Sequence, residues 1–400
     1  MLSYRKLAMR VLGRPLHTGG GNGSPRPASQ RAAAFVLTAA LLSGAAFPAF
    51  AGTYHIEEGD IVISAGTEAG TNKVEQGGTL KSENDKGTII SSSNKDTASS
   101  HTVTINAEDK NDKVEVTLKD VNIDASSRNE AAVSVTGKGD TTIELDGDNE
   151  LQGGDRHAGL EHNQTVDSEG NVTSGKLTIQ DDNDNAGSLT ATGGYFGAGI
   201  GGGSAKAGQV TITGGTITAI SGDGAGIGGG QGNMGSNAGN ADIEISGGTI
   251  EATGGYASAG IGGGTWGDAN IKITGDAVIK NATGGVYGSG IGGGGGGNGD
   301  VTISGNAKIE NAQGGITGSG IGGGNGASGT VVIKDDSTVT ATGGEAGAGI
   351  GGGYAGLGDV TIEGNTMVNA TGGVGSAGVG GGYGAENDED GNGSQITIKS

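Results

Sequence analysis

Residues 197–203 read Gly197-Ala198-Gly199-Ile200-Gly201-Gly202-Gly203, and the same segment returns six more times around a single aliphatic residue. The centres are Ile200, Ile227, Ile261, Ile291, Ile321, Ile350 and Val379, mostly 29 or 30 residues apart. A fixed period of this size marks stacked, near-identical structural units. Each unit contains two further extended pieces. The first alternates apolar-polar-apolar, as in Val210-Thr211-Ile212, Ile271-Lys272-Ile273 and Val360-Thr361-Ile362, the pattern of a strand with one buried face. The second carries Ile217, Ile250, Ile279, Ile309, Val339 or Val368, with an alanine shortly after. Gly-Gly, Gly-Asp and Gly-Asn turns separate the pieces.

Three short strands and three turns cannot bury a face alone, but they make one rung of a coil in which each strand pairs with its counterpart in the next rung. The predicted fold is therefore all-β: a right-handed single-stranded parallel β-helix (β-solenoid) with rungs of about 30 residues. Roughly 11 rungs, each rising ~4.8 Å, give a rod on the order of 50 Å long. The inward columns are the Val/Ile pairs of the first strand, the aliphatic of the second, and Ala198 and Ile200 with their equivalents.

Two columns support vertical stacking. The residues just before the first strand run Gln209, Asp242, Asn270, Asp300, Thr330, Asp359 and Gln395. Acid alternates with neutral, so no two carboxylates lie directly above one another. Asn281 and Asn311 hold matching places in adjacent rungs and suit an amide ladder.

Residues 1–51 read as an export signal: a basic region with no acid, an apolar run from Ala32 to Phe47, then Ala49-Phe50-Ala51 as a cleavage site. Residues 52–160 read as irregular, wider rungs with an amino-terminal cap, and 161–400 as the regular glycine-rich array. The chain stops within a rung at Ile396-Thr397-Ile398, which predicts a protein continuing beyond residue 400. Without the six basic residues of the signal, 17 basic residues face 44 acidic ones, a net charge of about −27. Such a surface repels nucleic acid and anionic lipid. It also serves plain solubility. There is no cysteine, so an exported chain must be held by its core or by metal ions.

The chemistry-bearing residues are few. Gly197-x-Gly199-x-x-Gly202 satisfies a dinucleotide pattern, yet no helix follows it, as that reading requires. From residue 163 onward there is no arginine or histidine, which disfavours the lyase and hydrolase chemistries found on other β-helices; no enzyme is expected. Asp181, Asp182 and Asp184 form one acidic loop, and Asp388, Glu389 and Asp390, with Glu386, form another. Flexible oxygen-rich loops suit calcium, and solvated turn acids are the plainer reading. Sugar binding needs aromatic faces with polar groups beside them. Tyr195 and Tyr256 follow a Gly-Gly pair, Tyr354 and Tyr383 follow Gly-Gly-Gly, and Trp266 lies one residue further along its own rung. The glycines alternating with Ala198 and Ile200 offer either a bare backbone strip beside those rings or a tight corner where walls of the coil meet.

Residues 113–151, KVEVTLKDVNIDASSRNEAAVSVTGKGDTTIELDGDNEL, resemble an exported bacterial carbohydrate-binding β-helix family of the clostridial polysaccharide-binding type. The order of strands is similar, down to the closing Asn-x-Leu, and the Gly-Ile-Gly-Gly-Gly array matches more loosely. The resemblance implies a right-handed parallel β-helix, bound calcium and affinity for acidic plant polysaccharide. It supplies no ligand residue to carry over. The expectation is a monomeric, non-catalytic polysaccharide-binding protein, secreted or on the bacterial surface, with no nucleic-acid partner and no membrane insertion after signal removal. A structural stalk or adhesin is the alternative, and a lyase-like enzyme the third reading.

Overall fold

The aliphatic centre of the glycine segment stacks into one continuous column. In the computed structural model, Ile200, Ile227, Ile261, Ile291, Ile321, Ile350 and Val379 pair in parallel register from rung to rung. The column also extends towards the amino terminus through Leu160, Val133, Val103 and Ile61. That makes eleven rungs on this face among the described residues, as the period predicts. The structure describes residues 52–183, 185–234, 239–386 and 393–399. The export segment 1–51 and four of the acidic-loop residues, Asp184, Asp388, Glu389 and Asp390, lie outside the described residues.

The coil is a right-handed parallel β-solenoid with three faces. The Val-x-Ile strands form the first face, for example Ala241–Ile245, Ala269–Ile273 and Gly299–Ile303. Thr249–Thr253, Val278–Thr283 and Lys308–Gln313 are typical of the second. The two faces join into one 20-stranded sheet because Asp140–Gln152 runs unbroken from one to the other. The third face is built of two-residue strands such as Ile261–Gly262. It closes at the amino-terminal end with an antiparallel cap, Ile61–Ala65, Asn72–Gln76 and Thr79–Asp85. Those two antiparallel pairings cover the edge that an open solenoid end would present.

The expected inward columns form the core. Ile243, Ile245, Ile271, Ile273, Val301, Ile303, Ile279 and Ile309 are buried, as are Ala198 and Ile200. Each fully buried Ile or Val contributes about 1.5–3 kcal/mol. Ser289 and Ser319 replace the inward alanine in two rungs without leaving a buried hydroxyl unpaired. Each donates to the carbonyl four residues on, Gly293 at 2.9 Å and Gly323 at 2.8 Å.

The two polar columns pair as the sequence predicts. Register runs Gln209, Asp242, Asn270, Asp300, Thr330, Asp359, Gln395, and the Asn270 amide donates to Asp242 at 2.9 Å. Asn311 donates to the Asn281 side chain at 2.8 Å. The structure adds two columns that the sequence reading missed. At the end of the first face, Asn306 donates to Asp276 at 3.0 Å and Asn365 to Asp336 at 3.1 Å. Before that face, side-chain oxygens of Asn240, Asp268 and Asn298 accept the next rung's backbone N–H, from Asp268, Asn298 and Ser328 respectively.

Candidate functional site

Two turns flank the third face, and both fold back over it. The turn before it places Gly254 against the Ala259 carbonyl, and the turn after it places Gly263 against the Gly267 carbonyl; a Cβ at either glycine would overlap these atoms. The strand glycines between them are buried. Gly201 and its equivalents, Gly228, Gly262, Gly292, Gly322, Gly351 and Gly380, adopt φ from +127° to +135°, a conformation that side-chain-bearing residues avoid. Of the two readings of these glycines, the tight corner is the one the structure adopts. No ligand strip lies on the third strand.

A backbone strip exists one turn earlier. The pairs Gly254-Gly255, Gly284-Gly285, Gly314-Gly315, Gly343-Gly344 and Gly372-Gly373 stack up the solenoid, and Gly153-Gly154 and Gly193-Gly194 begin the row. A Cβ on Gly285, Gly315, Gly344 or Gly373 would run into the carbonyl oxygen of the glycine below it. The floor is therefore smooth because the rungs leave no room for side chains. Along its upper end it forms an open groove of about 610 Å³, lined by the last three glycine pairs with Gln313, Ile316, Glu345 and Val374.

One wall of this trough is the last outward column of the second face: Thr192, Ile220, Thr253, Thr283, Gln313, Thr342 and Thr371, all in register. The opposite wall is the residue after each glycine pair: Asp155, Tyr195, Tyr256, Val286, Ile316, Glu345 and Val374. Asp223 fills the same wall between the two tyrosines. Tyr195 and Tyr256 are 57% and 56% exposed, so much of each side chain is open to solvent.

The five predicted ring residues occupy two rows. Tyr195 and Tyr256 line the trough. Trp266, Tyr354 and Tyr383 come from the following turn, which leans on the preceding one through hydrogen bonds such as Tyr354 N–H to the Thr317 carbonyl and Tyr383 N–H to the Ala346 carbonyl. Tyr354 and Tyr383 stack on each other, with centroids 6.2 Å apart and planes at 21°. Trp266 sits at φ +60°, where the equivalent residues Ala205, Gly296, Gly326, Ala355 and Gly384 also have positive φ. Holding a tryptophan there costs about 1–2 kcal/mol.

Two rings escaped the sequence reading. Tyr287 meets Tyr256 edge to face at 5.2 Å, their hydroxyls 3.4 Å apart. This hydroxyl contact holds the Tyr256 phenol above its ordinary pKa. Phe196 meets Tyr195 edge to face at 4.8 Å and lies under the Arg156 guanidinium, 6.0 Å away. The turn positions of Tyr287 and Phe196 are one residue past the expected column, which is why strict spacing passed over them.

Asp223 is the polar centre of the wall. Burial pushes its carboxyl up, while the Tyr256 N–H and the Tyr195 hydroxyl pull it back by hydrogen bonding. The Gln231 amide donates to it at 3.3 Å, and the Ser258 hydroxyl donates to its main-chain carbonyl at 2.5 Å.

The acidic loop at Asp181 and Asp182 lies away from this trough, where the first strand ends. Asp181 accepts the Gly187 N–H at 3.1 Å. Glu144, missed by the sequence reading, accepts the N–H groups of Asp182 and Asn183 and both the Asn183 and Gln180 amides. Burial raises the Glu144 pKa, and the neighbouring Asp182 raises it further. Asp181 leaves its other oxygen buried without a hydrogen-bond partner, and the Asp182 side chain meets the Glu144 carboxyl. Among the described residues no group of three His, Cys, Asp or Glu side chains is placed to hold a metal ion. No helix among them is long and apolar enough to cross a membrane.

Four stretches, residues 185–204, 210–231, 243–265 and 331–354, match a family model described as a beta helix repeat. All four lie beyond residues 113–151, the segment that carries the carbohydrate-binding resemblance. No curated protein and no solved structure matches the chain. The family match and the strand register agree on a repeat fold of the β-helix type.

Proposed function

We propose that this protein is a non-catalytic, extracellular polysaccharide-binding protein whose ligand lies along the trough. The observation that carries the reading is the trough itself: a floor of glycine backbone, a threonine-rich wall, and a facing wall that carries exposed Tyr195 and Tyr256. Pyranose rings stack on such faces while hydroxyls and amides beside them bind the sugar edge. The rung repeat of ~4.8 Å is comparable with the length of one sugar residue in an extended chain. A polymer can therefore meet the same environment rung after rung.

Catalysis is left out because the array has no arginine or histidine beyond residue 162. The Asp181 and Asp335 turns also place their acids away from the rings. The extracellular setting rests on the export pattern of residues 1–51. Retention of the full chain on insoluble cellulose and pectin, with and without chelator, tests the proposal. Wild type is expected to be retained, and Tyr256→Ala to lose about tenfold in affinity, as one stacked ring contributes on the order of 1–2 kcal/mol. No retention of folded wild type on any glycan would reject it. That outcome would favour the second reading, a surface stalk or adhesin, which the close glycine packing of rung on rung also suits.

A further inference from the structure

The wall opposite the threonine column carries a carboxylate, Asp223, between its two tyrosines, and it does so in a short rung. The spacing from Ile200 to Ile227 is 27 residues against 29 or 30 for most of the later centres. The short rung reads Ser221-Gly222-Asp223-Gly224, without a Gly-Gly pair. Asp223 stands three residues after Ile220, as Tyr195 stands after Thr192 and Tyr256 after Thr253, so it lies in the wall between the two tyrosines, and the residue this rung lacks follows it.

We infer that Asp223, with Gln231, makes this point of the trough a recognition centre for the neighbouring hydroxyls of a neutral glycan. The inference rests on the reading above that the trough holds a sugar chain. A carboxylate only accepts hydrogen bonds, and two adjacent sugar hydroxyls can donate to it together, giving charge-assisted bonds stronger than neutral ones. The Tyr195 hydroxyl and the Gln231 amide fix its orientation. The Tyr256 ring stands beside it as a platform.

The same carboxylate selects against acidic sugars. A uronate in this position would set its charge against Asp223, and further up the wall against Glu345, on a chain that is acidic overall. Arg156, the cation held near the lower end of the wall, lies over the Phe196 ring and is next to Asp155 in the chain. The Asp223 centre is thus a device for discrimination as well as affinity. It reverses the acidic-polysaccharide preference that the resemblance implies.

Affinity electrophoresis of the full chain separates the outcomes. The gels contain hydroxyethylcellulose or glucomannan as neutral polymers, and polygalacturonate or alginate as acidic ones. Wild type is expected to be retarded by a neutral polymer and not by an acidic one. Asp223→Asn is expected to weaken neutral binding about tenfold and to narrow the gap to the acidic polymers. Gln231→Ala, which leaves the wall side chain in place, is expected to show a smaller loss in the same direction. Preferential retardation by an acidic polymer, or neutral binding unchanged in Asp223→Asn, overturns the inference while leaving polysaccharide binding standing. Absence of retardation by all four polymers, with native circular dichroism, overturns the underlying reading and this inference with it.

Discussion

Residues 52–183 and the glycine-rich rungs that follow build the same three-faced coil by different means. The first region is held by specific side chains. Arg128 donates to both oxygens of Asp60, at 2.6 and 3.1 Å, and also pairs with Glu130 at 2.9 Å. Buried Asn149 accepts the Val121 N–H and donates to the Ser188 carbonyl, which explains the Asn of the Asn-x-Leu motif as a structural residue. Buried His162 has each ring nitrogen facing a carbonyl, Val135 at 3.2 Å and Gly175 at 2.9 Å. The second region replaces such individual partners with repeating side-chain columns, such as Asn270 on Asp242 and Asn311 on Asn281. Its corners close because glycine backbone meets glycine backbone. One region depends on singular polar networks, and the other on repetition and on the absence of atoms at its corners.

The difference should appear first in a single methyl group. Gly315→Ala adds a Cβ that overlaps the Gly285 carbonyl oxygen, and the rung cannot shift without breaking its ladder. We expect a loss of about 3 kcal/mol or more in urea unfolding. A loss under 1 kcal/mol would mean that the glycine floor is not close-packed.

Acid should separate the regions next. Burial lowers the His162 pKa from 6.5, although its two carbonyl partners pull it upward. Burial of Asp60 opposes ionisation, but hydrogen bonds from Arg128 and the Thr102 N–H outweigh it and hold the carboxyl below 3.8. Both folded values are depressed, so the unfolded chain binds more protons in acid. The His162 contribution is present above pH 6.5 and declines as the pH falls through that value towards the lower folded one. The Asp60 contribution is lost below 3.8. Hydrogen exchange followed by mass spectrometry should therefore rise in 52–183 before it rises in 241–363 as the pH is lowered. His162→Gln, which keeps a donor and does not titrate, should remove the first step.

Charge spacing within the glycine rungs gives a smaller effect. Asn270→Asp creates three adjacent carboxylates with Asp242 and Asp300 and replaces the amide donor to Asp242. A loss of about 1 kcal/mol is expected at low salt, shrinking as salt is added. The smallest effect is predicted at Ser319. Alanine occupies the equivalent place at Ala198, Ala259 and Ala348, all buried, so Ser319→Ala should stay within about 1 kcal/mol of wild type. A larger loss would show that the hydroxyl bridge to Gly323 holds the turn.

Much of the fold was legible because side-chain identity repeats in register. Ile200 to Val379 marked the third face, and Asp242, Asn270 and Asp300 marked stacking order. The same column below Ile200 was not legible. Leu160, Val133, Val103 and Ile61 sit in it without the glycine context that identifies the others. The candidate site was half legible. Tyr195 and Tyr256 follow Gly-Gly pairs and line the trough, but Tyr354 and Tyr383 share the period and stand in another row. Asp223 passed unnoticed because its turn carries neither a ring nor a Gly-Gly pair, although it stands at the same distance past the second strand as the two tyrosines.

Period, alternation and charge spacing decided by themselves that this chain coils, which residues face inward and which faces pair, because each of these is written in residue type. The tertiary structure alone decided where the backbone lies bare. Glycine carries no side chain to name its neighbour, so one sequence signature, repeated glycine, became a buried corner on the third strand and an open floor one turn before it. Packing between rungs made that distinction, and with it placed the trough.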